Sequence, residues 1–207
     1  MPYINSWCRI RGNQIIANGQ LRFEAPGAGE PAFLIDAYRQ MNIAYPKFYK
    51  MDRLCQLGLL ASELLLESQP GIREYPAEAV GIVLANRHSS LDTDVRYQET
   101  ISDLPSPALF VYTLANIVTG EICIRNGFKG ENTFFIFDHY DIPFLNDYIG
   151  QLLEQGDAEA VIGGWVDAWP GRYEAFLYLV EKKLTPGSIP HDQQTIRELY
   201  GTVDAGS

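Results

Sequence analysis

The chain has 207 residues, 46% of them hydrophobic, which is enough for one sizeable globular core. Its 16 basic residues face 26 acidic ones, a formal charge of -10, so a phosphate-backbone partner and an anionic membrane are both disfavoured: no nucleic acid and no membrane are expected as partners. Cys8, Cys55 and Cys123 are far apart, odd in number and without a CxxC spacing, so neither a disulfide framework nor a zinc site is expected, and a reduced cytoplasmic setting fits. The opening MPYINSWCRIRG lacks a basic segment followed by an apolar one, and no apolar run reaches the roughly 18 residues of a membrane span. The expectation is a soluble protein that is not exported.

In chain order, YINSWCRI and QIIANGQLRFE read as two strands joined into a hairpin by Gly12 and Asn13. APGAGEPA carries the glycine and proline of a loop. KFYKMDRLCQLGLLASELLLES then sets Leu54, Leu57, Ala61, Leu64 and Leu65 at helical spacing, and its leucines wrap most of the way round, which predicts a buried helix. After QPGIREYP, the run AVGIVLA (79–85) is short, unbroken and bounded by turn signals, as a central strand covered on both faces requires.

NRHSSLDTD reads as a loop with a helix cap at Asp92 or Thr93, followed by a short helix near 93–103. Its histidine, serines and aspartates are the residue types of a hydrolase, but no strand-to-helix nucleophile elbow accompanies them. Apolar positions from Leu109 to Ile124 predict a long buried helix, stopped by Asn126 and Gly127. TFFIFD is the next strand. PFLNDYIGQLLEQGD is the next helix, with Phe144, Leu145, Tyr148, Ile149 and Leu152 on one face, and AEAVIGGWVDA is a third central strand. Strands alternating with helices imply crossover connections and an α/β fold. Residues 1–183 read as one domain and 184–207 as a C-terminal tail with little periodicity beyond a short helix.

KGENTFFIFDHYDIPFL (129–145) runs an apolar strand straight into Asp138, His139 and Asp141. An imidazole between two carboxylates at the end of a buried strand is what a general base needs, because the carboxylates orient it and raise its basicity. The same residues also make an ordinary loop, and a base would need a pocket and a second functional group. Lys47, Lys50 and Arg53 form a small basic cluster, read as a solvated helix end in preference to a contact with an acidic carrier protein.

SPALFVYTLANIVTGEICIRNGFKGEN, followed by an apolar strand and a helix ending in QGDAEAVIGGWVDA, resembles the N-terminal half of the β-ketoacyl synthase family of the thiolase fold. The resemblance rests on Ser106, Pro107, Phe110, Thr113 and Asn116, then Gly120, Ile124 and Arg125, then Lys129, Gly130 and Asn132. Gly156, Asp157, Ala158, Gly163 and Gly164 complete it. It covers residues 79–168 well and the earlier part loosely, and it implies half of a thiolase-like fold, a mixed central sheet covered by helices. In that family the strand after the glycine–asparagine turn ends at a nucleophilic cysteine, set at the N-terminus of a buried helix whose dipole favours the thiolate. An ungapped match puts His139 in the cysteine position. Cys123 falls within the preceding helix and the other two cysteines in earlier elements, so none replaces it. The family's C-terminal half supplies two decarboxylating histidines and a glycine-rich gating loop; His88 and His191 stand in neither context.

The resemblance therefore implies a subunit with no catalytic residue of its own. It would be similar to the chain-length factors that pair with a true ketosynthase in polyketide, polyene or fatty-acid-type elongation. The implied partner is a full-length ketosynthase in a heterodimer or larger assembly, which would perform the acyl transfer, with an acyl carrier protein engaged indirectly. No cofactor and no metal are expected. Phe110, Tyr112, Thr113, Asn116, Phe134, Phe135, Phe137 and His139 are the candidates for an acyl pocket or partner interface, with ordinary core packing the competing reading of the aromatics. Since a thiolase-fold protein packs two similar halves around shared helices, one half is expected to leave a large apolar face for a partner. The alternatives are a stand-alone enzyme or acyl-binding homodimer using His139 with Asp138 or Asp141 as base, and a remnant without a ligand.

Overall fold

A computed structural model describes residues 2–101 and 104–201. Its seven longer strands are β1 (Tyr3–Arg11), β2 (Gln14–Ala17), β3 (Gln20–Glu24), β4 (Val80–Asn86), β5 (Asn132–Ile136), β6 (Ala160–Trp169) and β7 (Arg172–Glu181). They lie side by side in the order β3-β2-β1-β7-β6-β4-β5, and a short β8 (Ile189–Pro190) pairs with β1. Strand β4 pairs in parallel with β5 and β6, and the remaining pairings are antiparallel. This is the mixed sheet of an α/β fold.

Helices cover both faces. On one side α2 (Arg53–Glu67) and α5 (Ile117–Asn126) set Leu57, Leu60, Val118 and Ile122 against Ile82, Leu84, Ile162 and Val166 of the sheet. On the other, α6 (Ile142–Gln155) and α7 (Gln193–Gly201) set Leu145, Ile149, Leu153 and Ile196 against Val83, Ala85, Val161 and Trp165. Every residue of β4 is buried, which is the condition its unbroken apolar run satisfies. The two glycines inside β6 let its neighbours close in: a Cβ on Gly163 would overlap the Ile149 side chain of α6. Gly164, at φ +148°, would drive one into the Phe176 carbonyl of β7.

Several elements differ from the sequence reading. QIIANGQLRFE is two strands, because Asn18 and Gly19 both take positive φ and turn the chain back as β2 and β3. A helix α1 (Glu30–Gln40) begins inside the expected loop; Pro31 sits in its first turn, where proline is tolerated, and Phe33, Leu34, Ala37 and Tyr38 are its buried face. The leucine-rich helix starts only at Arg53, since Asp52 caps it through the Cys55 amide and residues 46–50 form a 3-10 turn.

Ser90, not Asp92 or Thr93, precedes the helix α3 (Leu91–Ile101), its carbonyl accepting from the Asp94 amide. Part of the expected 93–103 helix, residues 102–103, lies outside the described residues. The long helix from Leu109 is broken into α4 (Pro107–Val111) and α5. The Thr113 carbonyl accepts the Ser90 hydroxyl at 2.6 Å and its own hydroxyl donates to the Phe110 carbonyl at 2.7 Å, so side chains take over bonds a continuous helix would need. Strand β7, at the middle of the sheet, went unrecognised although Pro170-Gly171 marks the hairpin that leads into it.

The described residues after Lys183, 184–201, pack on this body. Ile189 and Pro190 pair with Ile4 and Tyr3, Ile196 is fully buried, and the Tyr200 hydroxyl donates to Glu174 at 3.1 Å. The outward side of α6 carries Asp147, Gln151 and Glu154 and is exposed and polar, so the unpartnered apolar surface expected of a half-fold is not found there.

His191, ahead of α7, is buried with its Nε2 lacking a partner among the described residues, and burial pushes its pKa down to about 4 against the pull of Asp192 and Asp147. Its ordinary value is 6.5. Between these pH values the unfolded chain binds a proton that the native chain refuses. Stability present above pH 6.5 is therefore lost as pH falls toward 4, by up to about 3 kcal/mol from this group. Thermal melts followed by circular dichroism should show a flatter dependence of Tm on pH across that window in His191→Gln than in the wild type.

Candidate functional site

Strand β5 closes one end of the sheet and, among the described residues, pairs with β4 alone, so its outer edge offers backbone groups without a strand partner there. Phe134 packs partly against the α2/α5 side, whereas Phe135 and Phe137 pack partly against the α6 side. Phe135 meets Phe144 at 4.8 Å and Tyr148 at 5.2 Å between ring centroids, and lies stacked with Phe137 at 5.8 Å. These rings are half-buried, and beside them Ile136 is 54% exposed.

Further apolar side chains are exposed on α3 (Val95), α4 (Phe110, Val111) and α5 (Ile124), and at Leu104 and Leu114 between these helices. Phe110 rests on Tyr97 at 5.5 Å. Tyr112 turns inward, its hydroxyl donating to Glu121 at 3.2 Å; burial first, and that carboxylate second, push its pKa up. Glu121, itself buried, also accepts Lys47 Nζ at 2.7 Å. Thr113 is held by the hydrogen bonds that break the helix, and Asn116 is exposed at the start of α5. Of the expected basic cluster, Lys47 is paired with Glu121, Arg53 approaches Asp92 at 3.7 Å, and Lys50 is exposed. A groove of about 590 Å³ lies elsewhere, lined by Arg22, Asn42, Glu63, Glu67, Arg73 and Arg125. Two of its arginines are already paired, Arg22 with Glu67 and Arg125 with Glu63.

His139 stands on the bend between β5 and α6. Its Nδ1 meets Asp138 Oδ1 at 2.6 Å, yet the two side chains are 74% and 84% exposed. Asp141 is not its second carboxylate: it caps α6 by accepting the Phe144 amide at 3.0 Å. The imidazole therefore plugs no pocket and joins no buried network. The three thiols are all shifted upward. Burial pushes Cys8 up to about 12, Cys55 is raised by burial and by Asp52, and Cys123 is raised by burial.

Sequence reasoning passed over a different histidine. His88 Nδ1 faces Asp167 Oδ2 at 2.8 Å, and Asp167 Oδ1 accepts the main-chain amides of Arg87 at 3.1 Å and His88 at 3.0 Å. The ring stacks on Trp169 at 5.3 Å with 21° between planes. The signal that could have found this pair is the polar Asp167 at the end of an otherwise apolar strand, but its partner is distant in sequence.

His139→Ala should change stability by no more than about 0.5 kcal/mol, as for other exposed positions. Chemical denaturation with the midpoint and slope both measured checks this; a loss of more than 1 kcal/mol, flagged as a large effect at an exposed site, would show a packing role.

No protein-family model matches the sequence, and neither does any curated protein. Solved structures do. The ishigamide ketosynthase/chain length factor aligns at a TM-score of 0.64 and 22% identity, over 87% of this chain and 62% of that one. The type II polyketide synthase complex AntDE:AntF, an acyl carrier protein with its ketosynthase bound to the hexaketide, aligns at 0.57 and 14% identity over the same shares, 87% and 62%. The complex of the ketosynthase ApeO with its chain length factor ApeC from Xenorhabdus doucetiae aligns at 0.57 and 13% identity, over 97% of this chain and 91% of the matched one. The chain thus spans less than two thirds of the first two matched chains and nearly all of the third. Its mixed sheet, with α2 and α5 on one face and α6 on the other, has the fold of one half of a thiolase-like ketosynthase or chain length factor.

Proposed function

We propose that this chain is a chain-length-factor-like subunit, without catalysis of its own, that pairs with a ketosynthase in polyketide-, polyene- or fatty-acid-type chain elongation. The observation that carries the reading is the open edge of β5 with exposed Ile136 on the strand and exposed Ile124 on α5, which packs against it; Phe110 and Val111 are exposed on α4. A soluble chain normally covers such a combination, and an added antiparallel strand would satisfy both the backbone groups and the apolar area. The fold neighbours include a complex of a ketosynthase with its chain length factor in which a chain of nearly this length is matched. Burial leaves all three thiols poor candidates for a thiolate nucleophile. The carrier protein would then deliver its acyl group to the partner, and Phe110, Tyr112, Thr113, Asn116, Phe134, Phe135 and Phe137 would border the shared surface.

Co-expression with a ketosynthase from the same source tests this by size-exclusion chromatography. The expected result is a stable complex for the wild type and its loss in Ile136→Asp, with at least a hundredfold weaker association because an unpaired carboxylate would be buried at the joint. Ile136 is exposed in the free chain, so the variant should melt like the wild type. Glu154→Lys, on the polar outer side of α6, should leave the complex intact. A complex that survives Ile136→Asp and fails with Glu154→Lys would move the interface to α6. A homodimer formed without any ketosynthase and broken by Ile136→Asp would favour the stand-alone reading. Intact-mass measurement after incubation with acyl carrier substrates should find no covalent acyl adduct.

A further inference from the structure

The His88–Asp167 pair belongs to none of the surfaces used above. It sits where β4 and β6 end, within the parallel set β5-β4-β6, and open sheets with parallel strands bind ligands at their carboxyl ends. Asp167 is buried, and two main-chain amides at 3.1 and 3.0 Å hold one of its oxygens. The other oxygen faces His88 Nδ1 at 2.8 Å. A carboxylate arranged in this way accepts the imidazole N–H, which puts the ring proton on Nδ1 and leaves the lone pair on Nε2. Trp169, stacked on the ring, fixes its plane. No described residue bonds Nε2, and the His88 side chain is 22% exposed.

Closing the turn 86–90 accounts for the bonds between Asp167 and the two amides. It does not account for an imidazole oriented by a carboxylate, stacked on an indole and partly exposed with an unused acceptor. His139 supplies the internal contrast: it has the same Nδ1–carboxylate contact, but neither partner is buried and nothing stacks on its ring.

We propose that His88 Nε2, held by Asp167 and Trp169, is a proton-accepting site for a thiol or hydroxyl group presented at the carboxyl end of the sheet. The group docks as a donor to Nε2. On proton transfer its S–H or O–H bond breaks as the Nε2–H bond forms, leaving a thiolate or alkoxide beside an imidazolium whose second N–H stays on Asp167. No oxidant and no further reactant enters the step.

The tautomer is read directly by long-range 15N–1H correlation on the wild-type chain, which should show His88 protonated on Nδ1. Diethyl pyrocarbonate, which acylates an unprotonated imidazole nitrogen, should modify His88 when followed by peptide mass. Asp167→Asn would turn an amide donor toward Nδ1 and move the proton to Nε2, slowing modification of His88 at least tenfold. Titration with 2-mercaptoethanol and, separately, with ethylene glycol should shift the His88 ring resonances and leave those of His139 in place. A wild-type proton on Nε2, no modification of His88 by diethyl pyrocarbonate, or equal responses of the two histidines to both probes would each overturn the proposal. The wild-type measurements stand even if Asp167→Asn does not fold.

Discussion

The rest of the architecture depends on β4, a seven-residue strand with no exposed side chain. A strand of that kind must be covered on both faces and paired on both edges, since it has neither a polar face nor a solvated edge to offer water. The two faces are met by α2 with α5 and by α6 with α7, and one edge is met by the long β6. The other edge is met by the short β5, which is itself left with an open side. The demand for a partner is thus handed outward, from a fully satisfied strand to one that is half satisfied.

That open side carries few of the devices with which proteins blunt an edge. Asn132 to Ile136 holds no charge and no proline, and its acidic neighbours Glu131 and Asp138 stand beyond its ends. The outer side of α6, by contrast, is polar and exposed. The segment from β8 through α7 contributes Ile196, Leu199 and Tyr200 to the same side of the sheet. Exposed apolar side chains stand on β5 at Ile136, on α5 at Ile124 and on α4 at Phe110 and Val111.

The three histidines show how little residue type says about chemistry. His191 is buried, its pKa low. His139 is in solvent beside an equally exposed carboxylate. Of the three, His88 is the one whose ring faces a buried carboxylate that main-chain amides hold in place.

By itself the sequence determined the elements with strong local signals: the unbroken run of β4, the stop of α5 at Gly127, the existence of β5, α6 and β6, and through them an α/β sheet, whose half-thiolase type was implied by the family resemblance alone. It did not reveal β7, whose place between β1 and β6 depends on pairings across the chain, nor the break between α4 and α5, which depends on the distant Ser90 hydroxyl. His139 was conspicuous because its carboxylates are neighbours in sequence, while the Asp167 that holds His88 lies 79 residues away. Local propensity and periodicity are properties of a few consecutive residues. Which strand is left at an edge, and which carboxylate reaches which imidazole, are properties of the assembled sheet, and only the tertiary structure decided them.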